Sequence, residues 1–529
     1  MRIQRLSTIL FACLLAPLLA VPLAAKTLRY ASQDDPQTLD PHSSNLLPTN
    51  RVLASVYEGL VGRDKNYKIV PWLALSWSQP DAGTWRFKLR PNVKFHGGEE
   101  FTADDVVFSV ERALHPLSQM KSSLQGVKGA KKVDKLTVDL ILAEPNPVLL
   151  NHLFQFRIAS KEWAEKNKAQ APQNYKDRED TFSSRNANGT GPFKVTVRQP
   201  DVKTVLVANE NWWNKGSPEK GNLTQIDILP VKSNATRAAA LLSGEVDFVL
   251  DPPPQDIARL KTNANVKIVE GAEARVQYLA FDTFRDELLY SDVKGKNPLK
   301  DVRVRQAIAH AIDVDAIKDK VMRGLSIPTG TLVPRGVQGY SKEAEKRHDY
   351  DREKARKLLA EAGYPSGFGI TIDCGNIQPA ADICQALPPM LGQVGIRATP
   401  NIIPQANYFP KIQKFDTSMY ILSWGSATFD ALYNLQLLLH TSTGDNTGYG
   451  DSNYGRYSNK KMDELIGKIK VEADMKKRDG LIREALLLHN REVATLPLHQ
   501  PLVPWAMRKN VEAVFTPNNV PYFFRFRMN

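Results

Sequence analysis

Strand-like and helix-like segments alternate along almost the whole of this 529-residue chain, and that alternation is the strongest constraint on its fold. Residues 84–89 (TWRFKL) alternate polar and apolar side chains with the two-residue period of a half-buried strand. Thr102 then has the position of an N-cap, and the helix that it opens is expected to end before Pro116. This order of elements predicts an α/β protein. Because one core rarely organises so long a chain, several lobes are expected.

The second half of the chain repeats the pattern. A βαβ unit is predicted from a strand at 370–374, a helix at 380–394 and a strand at 396–403. Ser458 is expected to cap a later helix. The polar segment 162–188 has little apolar periodicity, and we interpret it as a surface excursion.

The first 25 residues have the composition of a secretory signal peptide. Arg2 and Arg5 precede an apolar run at residues 10–23, and the small residues Ala24 and Ala25 follow. The run is too short for a membrane anchor and is interrupted by prolines. We therefore predict an exported, soluble protein that is cleaved near Ala25.

Composition argues against nucleic acid as a partner and against a metal site. The formal net charge of +13 is spread along the chain, without a block of five like charges. Cys374 and Cys384, ten residues apart, are expected to form a disulfide after export, since no histidine cluster lies near them to suggest zinc. No metal and no cofactor are predicted.

Catalytic motifs are missing from the sequence. It contains no His-Glu-x-x-His pair, no Gly-x-Ser-x-Gly elbow and no Gly-rich phosphate loop. The closest histidines, His489 and His499, are ten residues apart, which is not a ligand spacing. We predict that the chain is not an enzyme. A secreted hydrolase remains an alternative, because catalytic groups can converge from distant positions.

Aromatic and polar residues at strand ends suggest a binding wall instead. Trp424 follows the apolar strand 418–422, and Gly425 beside it permits close backbone approach. Aromatic residues with a polar group suit a cleft for an organic solute. The candidate ligand-binding residues are Trp424, Gly425, Asp430, Tyr433, Asn376, Gln33 and Tyr278.

Several motifs resemble the bacterial family 5 extracellular solute-binding proteins, which include dipeptide, oligopeptide and nickel binders of ABC importers. The resemblance extends over essentially the whole chain after the leader. Its most specific stretch is residues 85–96 (WRFKLRPNVKFH), continued at 101–106 (FTADDV). Further matching segments are 56–60 (VYEGL), 189–193 (GTGPF), 302–308 (VRVRQAI) and 360–365 (AEAGYP).

The resemblance implies a large, type II-like periplasmic-binding-protein fold of two lobes with an added subdomain. Lobe I is expected from residues 26–68, 189–281 and 496–529, the subdomain from 69–188, and lobe II from 282–495. The implied function is capture of a small organic solute in the periplasm by hinge closure and its delivery to an inner-membrane ABC permease, as a monomer. A receptor that passes its ligand to a sensor, and a carrier of a metal chelate, are alternatives.

At one position this chain departs from the peptide-binding members that it resembles. In those proteins an aspartate three residues after the matching tryptophan binds the peptide α-amine, whereas this chain has Ala427 there. A buried ammonium needs an anion as its partner. Either Asp430 substitutes for that aspartate, or the ligand is not a free-amine peptide.

Overall fold

A computed structural model describes residues 26–529 apart from 176, 178, 378 and 445–447. The predicted signal peptide lies outside these residues. Within them, no helix is both long enough and apolar enough to span a membrane.

The strands are β1 Thr27–Ser32, β2 Val61–Arg63, β3 Ile69–Pro71, β4 Ala74–Asp81, β5 Thr84–Leu89, β6 Val127–Asp134, β7 Thr137–Leu142, β8 Phe193–Gln199, β9 Lys203–Ala208, β10 Gln225–Pro230, β11 Phe248–Leu250, β12 Val266–Ala272, β13 Arg275–Phe281, β14 Ser326–Pro328, β15 Gly369–Gly375, β16 Arg397–Ile403, β17 Met419–Gly425, β18 Thr495–Arg508, β19 Val511–Glu512 and β20 Arg527–Met528.

The helices are α1 Leu47–Leu53, α2 Ala103–Leu114, α3 Leu149–Leu153, α4 Lys161–Lys166, α5 Phe182–Arg185, α6 Asn234–Ser243, α7 Pro254–Thr262, α8 Val302–Ala311, α9 Val314–Ala316, α10 Arg352–Glu361, α11 Ala380–Gly392, α12 Gln405–Gln413, α13 Ala431–Leu438, α14 Lys460–Val471 and α15 Met475–Glu492.

Most strands belong to one 12-stranded sheet, whose main path is β16-β15-β17-β13-β18-β11-β1-β10-β9-β8. Strand β18 lies in the middle of this path, between β13 and β11, and it also pairs with β12 and β14. β15 and β16 pair in parallel, and α11 connects them in the chain, which confirms the predicted βαβ unit. The mixture of helices with parallel and antiparallel strands confirms the α/β class.

Local sequence explains where the elements begin and end. In β5 the apolar Trp85, Phe87 and Leu89 are buried, as the alternation predicts. Helix α2 begins after Thr102, whose side chain forms a capping box with Asp105. The residues that the pattern assigned to the core are therefore the ones that the fold buries.

A separate sheet, β4-β5-β7-β6, lies within the predicted subdomain. Its core includes Phe87, Val138 and Leu140 from the strands and Val106 and Val110 from α2. The lobe and subdomain boundaries given above remain predictions.

Three local predictions need correction. The cap of α14 is Asn459 and not Ser458, because the Asn459 amide oxygen accepts the backbone N–H groups of residues 461 and 462. Trp424 and Gly425 are the last residues of β17 and do not follow it. Segment 162–188 is more than a surface excursion, since Ser183 and the backbone of Gln173 donate to the buried Asp40.

Asp40 also receives a bidentate ion pair from Arg112, and both side chains are buried. The Arg112 guanidinium is a main reason that the pKa of the Asp40 carboxyl falls to about 2 despite burial. This pair connects the segment after β1 to α2.

Glu58 joins three segments of the first half through uncharged donors. Its carboxylate accepts the indole N–H groups of Trp72 (2.7 Å), Trp212 (3.0 Å) and Trp213 (2.8 Å) and the hydroxyl of Thr190 (2.7 Å). Burial raises the pKa of the Glu58 carboxyl to about 7, although these donors act in the opposite direction.

We expect this carboxyl to make folding stability depend on pH. Because its folded pKa lies above the ordinary 4.5, its contribution is fully present below pH 4.5 and is lost as pH rises through about 7. The difference in unfolding free energy between wild type and Glu58→Gln, measured from pH 4 to 9, isolates this contribution from that of buried histidines. Tryptophan fluorescence of the wild type should titrate with a midpoint near 7. An identical pH profile in the variant would contradict the assignment.

Cys374 on β15 and Cys384 on α11 form a disulfide in the structure, with their Cα atoms 6.4 Å apart. Both side chains are fully buried in the core of the second half. The bond therefore fixes α11 against the strand that it covers.

Replacing both cysteines by alanine should lower the unfolding free energy by about 2–3 kcal/mol, because the unfolded chain regains the freedom of a short loop. Urea unfolding of wild type with and without a reductant, beside the double variant, measures the effect. The reductant should have no effect on the variant. Two titratable free thiols in the unreduced exported protein would contradict the pairing.

Candidate functional site

A cavity with a volume of about 1270 Å³ lies between the two halves of the large sheet. One wall comes from the first half and the C-terminal tail, including Gln33, Asp251 and Asn519. The opposite wall comes from segments 320–325, 375–385 and 405–409. Residues of β13 and β18 form the floor. The cavity is therefore a cleft whose sides belong to different parts of the chain.

Gln33 and Asn376 lie on opposite walls of this cleft. Each directly follows a strand with a parallel neighbour, β1 beside β10 and β15 beside β16. The carboxyl ends of such strands form the edge where ligands bind in open α/β sheets. The Asn376 side-chain oxygen already accepts the backbone N–H of Gln405, which fixes its orientation.

Amide side chains dominate the polar lining. They come from both walls and from the floor, and an amide group carries both donors and an acceptor. The lining amides are Gln33, Asn234, Gln255, Gln277, Asn376, Gln385, Gln405 and Asn519. The side-chain N–H₂ of Gln277 and the side-chain oxygen of Gln405 are buried without a protein partner in the described part of the chain.

The acidic groups of the lining are already engaged. Asp251 pairs with Arg51 at 2.7 Å, and Glu273 pairs with Arg275 at 3.1 Å. The third lining carboxylate, Asp382, also has an interaction partner.

Lys320 and Arg323 are exposed on the wall that includes segment 320–325, and neither has a carboxylate within 4.0 Å among the described residues. The charge that the cleft offers to a ligand is therefore positive. Ile377 and Phe409, 55% and 37% exposed, add apolar surface to the same wall.

Trp424, Gly425 and Tyr433 lie together beside the cleft and not in its lining, which includes the preceding Ser423. The Trp424 ring is half-buried and stacks on Tyr433 with ring centres 5.8 Å apart. A Cβ atom at Gly425 would lie 3.2 Å from the Arg275 guanidinium, so glycine permits the close approach of this arginine.

The segment after Trp424 carries several buried groups without a partner. The Trp424 indole N–H and the hydroxyls of Ser426 and Thr428 make no hydrogen bond to the described residues. Buried polar groups are normally paired, so such a cluster marks a place where a ligand or water completes the bonding.

This segment also touches the first half of the chain. The Gln155 side chain donates to the carbonyl of Ala427 at 3.0 Å, and Arg63 donates to that of Thr428 at 3.4 Å. Ala427 therefore lies where the two halves meet.

Asp430 and Tyr278 lie elsewhere. Asp430 is 1% exposed, caps α13 and accepts a bidentate ion pair from the buried Arg478 at 2.6 and 2.7 Å. Tyr278 is 1% exposed within the core, and burial raises the pKa of its hydroxyl well above the ordinary value. The helix-like residues after Asp430 could have indicated its capping role.

Sequence reasoning missed the basic pair Lys320 and Arg323 and the amides of the lining other than Gln33 and Asn376. No spacing or motif connects these residues, because they converge from segments that are distant in the chain. Among the described residues, no group of three His, Cys, Asp or Glu side chains is arranged to hold a metal ion.

Comparisons with known proteins agree with this architecture. The family described as "Bacterial extracellular solute-binding proteins, family 5 Middle" matches residues 68–446. The chain is 30% identical over 475 residues to heme-binding protein A of Haemophilus influenzae, which covers 84% of this chain and 81% of that relative. It is 28% identical over 536 residues to the dipeptide-binding protein of Escherichia coli, covering 94% of each.

The solved structure of HbpA2 from Haemophilus parasuis superposes with a TM-score of 0.80 at 25% identity, covering 95% of this chain and 100% of that chain. The predicted two-lobed α/β fold is thereby confirmed. With the family match spanning most of its length, this chain belongs to the family 5 bacterial extracellular solute-binding proteins.

Proposed function

We propose that this protein captures a polar organic solute, neutral or anionic, in the cleft between its lobes and delivers it to an inner-membrane ABC permease. The observation that carries the proposal is the cleft of about 1270 Å³, with amide side chains from both walls and from its floor. A ligand that bridges both walls would favour the closed state, which is how such proteins couple binding to transport. Relatives named for binding a dipeptide and glutathione support solute capture as the shared role.

Charge in and beside the cleft argues against ordinary free-amine peptides. Ala427 supplies no carboxylate, Asp430 is committed to Arg478, and Glu273 is committed to Arg275. A ligand ammonium would displace one of these arginines or lose its hydration without a partner, and both cost free energy. Lys320 and Arg323 instead attract a carboxylate or another anionic group.

Ala427→Asp should create an amine site. We expect this variant to bind free-amine di- and tripeptides about 10-fold or more tightly than wild type, since a charge-assisted hydrogen bond contributes about 1.5–3 kcal/mol. Calorimetry with each peptide and its N-acetylated form measures the gain, which should vanish on acetylation. Ala427→Asn, of the same size but uncharged, is the matched control. Tight peptide binding by the wild type would contradict the proposed ligand class.

We expect Asp430 to stabilise the fold and not to bind the ligand directly. We expect Asp430→Ala to lower the unfolding free energy by about 3–5 kcal/mol, because the buried Arg478 charge loses its partner. The exposed Glu464→Ala on α14 should change it by less than about 0.5 kcal/mol. Urea unfolding compares the two. A stable Asp430→Ala protein that had lost only ligand binding would instead support a direct role for Asp430.

The solute itself is identified by native mass spectrometry of the protein purified from its own periplasm, with the released ligand analysed after denaturation. We expect a small polar molecule without a free α-amine. A released free-amine peptide would overturn the ligand class and leave the transport role intact.

A further inference from the structure

A second, smaller cavity, with a volume of about 130 Å³, lies between the first half of the chain and the C-terminal segment. Its walls come from α1, the segment 57–63, the segment 154–157 and the C-terminal segment 518–525. The charged groups in its lining are Glu58, Arg63, Arg157 and Arg525. Three of the four charged groups of this cavity are therefore arginines.

Three of these four groups make several contacts within the protein, although the Nε atom of Arg63 is buried without a partner among the described residues. Arg525 pairs with Glu219 at 2.8 Å, and Glu58 accepts three indoles and a hydroxyl. The Arg63 guanidinium lies about 5 Å from three aromatic ring centres and donates to two carbonyls and an amide.

Arg157 is the exception. It is 9% exposed, and among the described residues its guanidinium makes one hydrogen bond, from Nη1 to the side-chain oxygen of Asn50 at 2.8 Å. Within the described part of the chain no carboxylate lies within 4.0 Å of it and no aromatic ring covers it.

Burial does not neutralise the Arg157 guanidinium at neutral pH. Burial lowers the pKa of Arg157 to about 10, so the group remains charged at neutral pH. An unpaired buried charge is costly, and an anion that enters the cavity removes that cost. The planar fork of donors on a guanidinium matches the two oxygens of a carboxylate.

We propose that this second cavity binds the carboxylate of a small organic acid through Arg157. The carboxylate belongs either to a free acid or to an acidic group of the transported solute. The site is defined without reference to the ligand of the main cleft. If carboxylate binding at Arg157 were disproved, the proposed transport role would therefore be unaffected.

The test titrates malonate and acetate at constant ionic strength into the full exported protein and follows its melting temperature. We expect a saturable rise of about 2 °C or more for wild type, because the anion binds only the folded state. Arg157→Gln should lose this rise, and Arg157→Lys, which keeps the charge, should retain part of it. The exposed Arg356→Gln on α10 is the matched control and should respond like wild type.

Small-angle scattering with and without malonate distinguishes the two sources of the carboxylate. A decrease in the radius of gyration that requires Arg157 assigns the site to an acidic group of the transported solute. A melting shift without such a decrease assigns it to a free acid. Absence of any shift in wild type, or an equal shift in Arg157→Gln, would overturn the proposal. If Arg157→Gln does not fold, the test uses Arg157→Lys. Melting-temperature shifts equal to those of wild type with malonate, acetate and chloride would overturn the proposal as well.

Discussion

Strand β18 is the constraint on which the rest of the structure depends. Its first residues, 495–499, pair with β13, and residues 502–508 pair with β12. One continuous backbone therefore contributes hydrogen bonds to both halves of the sheet. Between these two stretches the Gln500 side chain donates to the carbonyls of Glu273 and Arg335. Residues of this strand also line the floor of the cavity.

Buried charges in this protein fall into two groups. Asp40 with Arg112, and Asp430 with Arg478, are matched internally and hold distant segments together. Such pairs tolerate little change, because removing one partner leaves the other charge uncompensated. Arg157 has no such partner among the described residues, and it faces a cavity. The contrast separates charges that maintain the fold from a charge that is available to a ligand.

Local rules predicted much of the fold and part of the site. The alternation in β5 and the cap of α2 depend on residues within a few positions of each other, so the sequence was sufficient to place them. Gln33 and Asn376 were found by the same reasoning, since a residue that follows a strand lies at the edge of the sheet whatever the strand's neighbours are. Asp430 lies five residues beyond the end of β17, and its carboxylate is engaged by the distant Arg478 on α15.

The sequence by itself determined the α/β class, the positions of several strands and helices and, through residues 85–106, the family resemblance. These features depend on periodicity and on contiguous motifs, which are local properties of the chain. Tertiary structure alone decided which polar residues face the cleft, that Tyr278 lies in the core, and that Arg157 has no carboxylate beside it among the described residues. These outcomes depend on groups that are far apart in sequence and meet only after folding, so no local pattern records them.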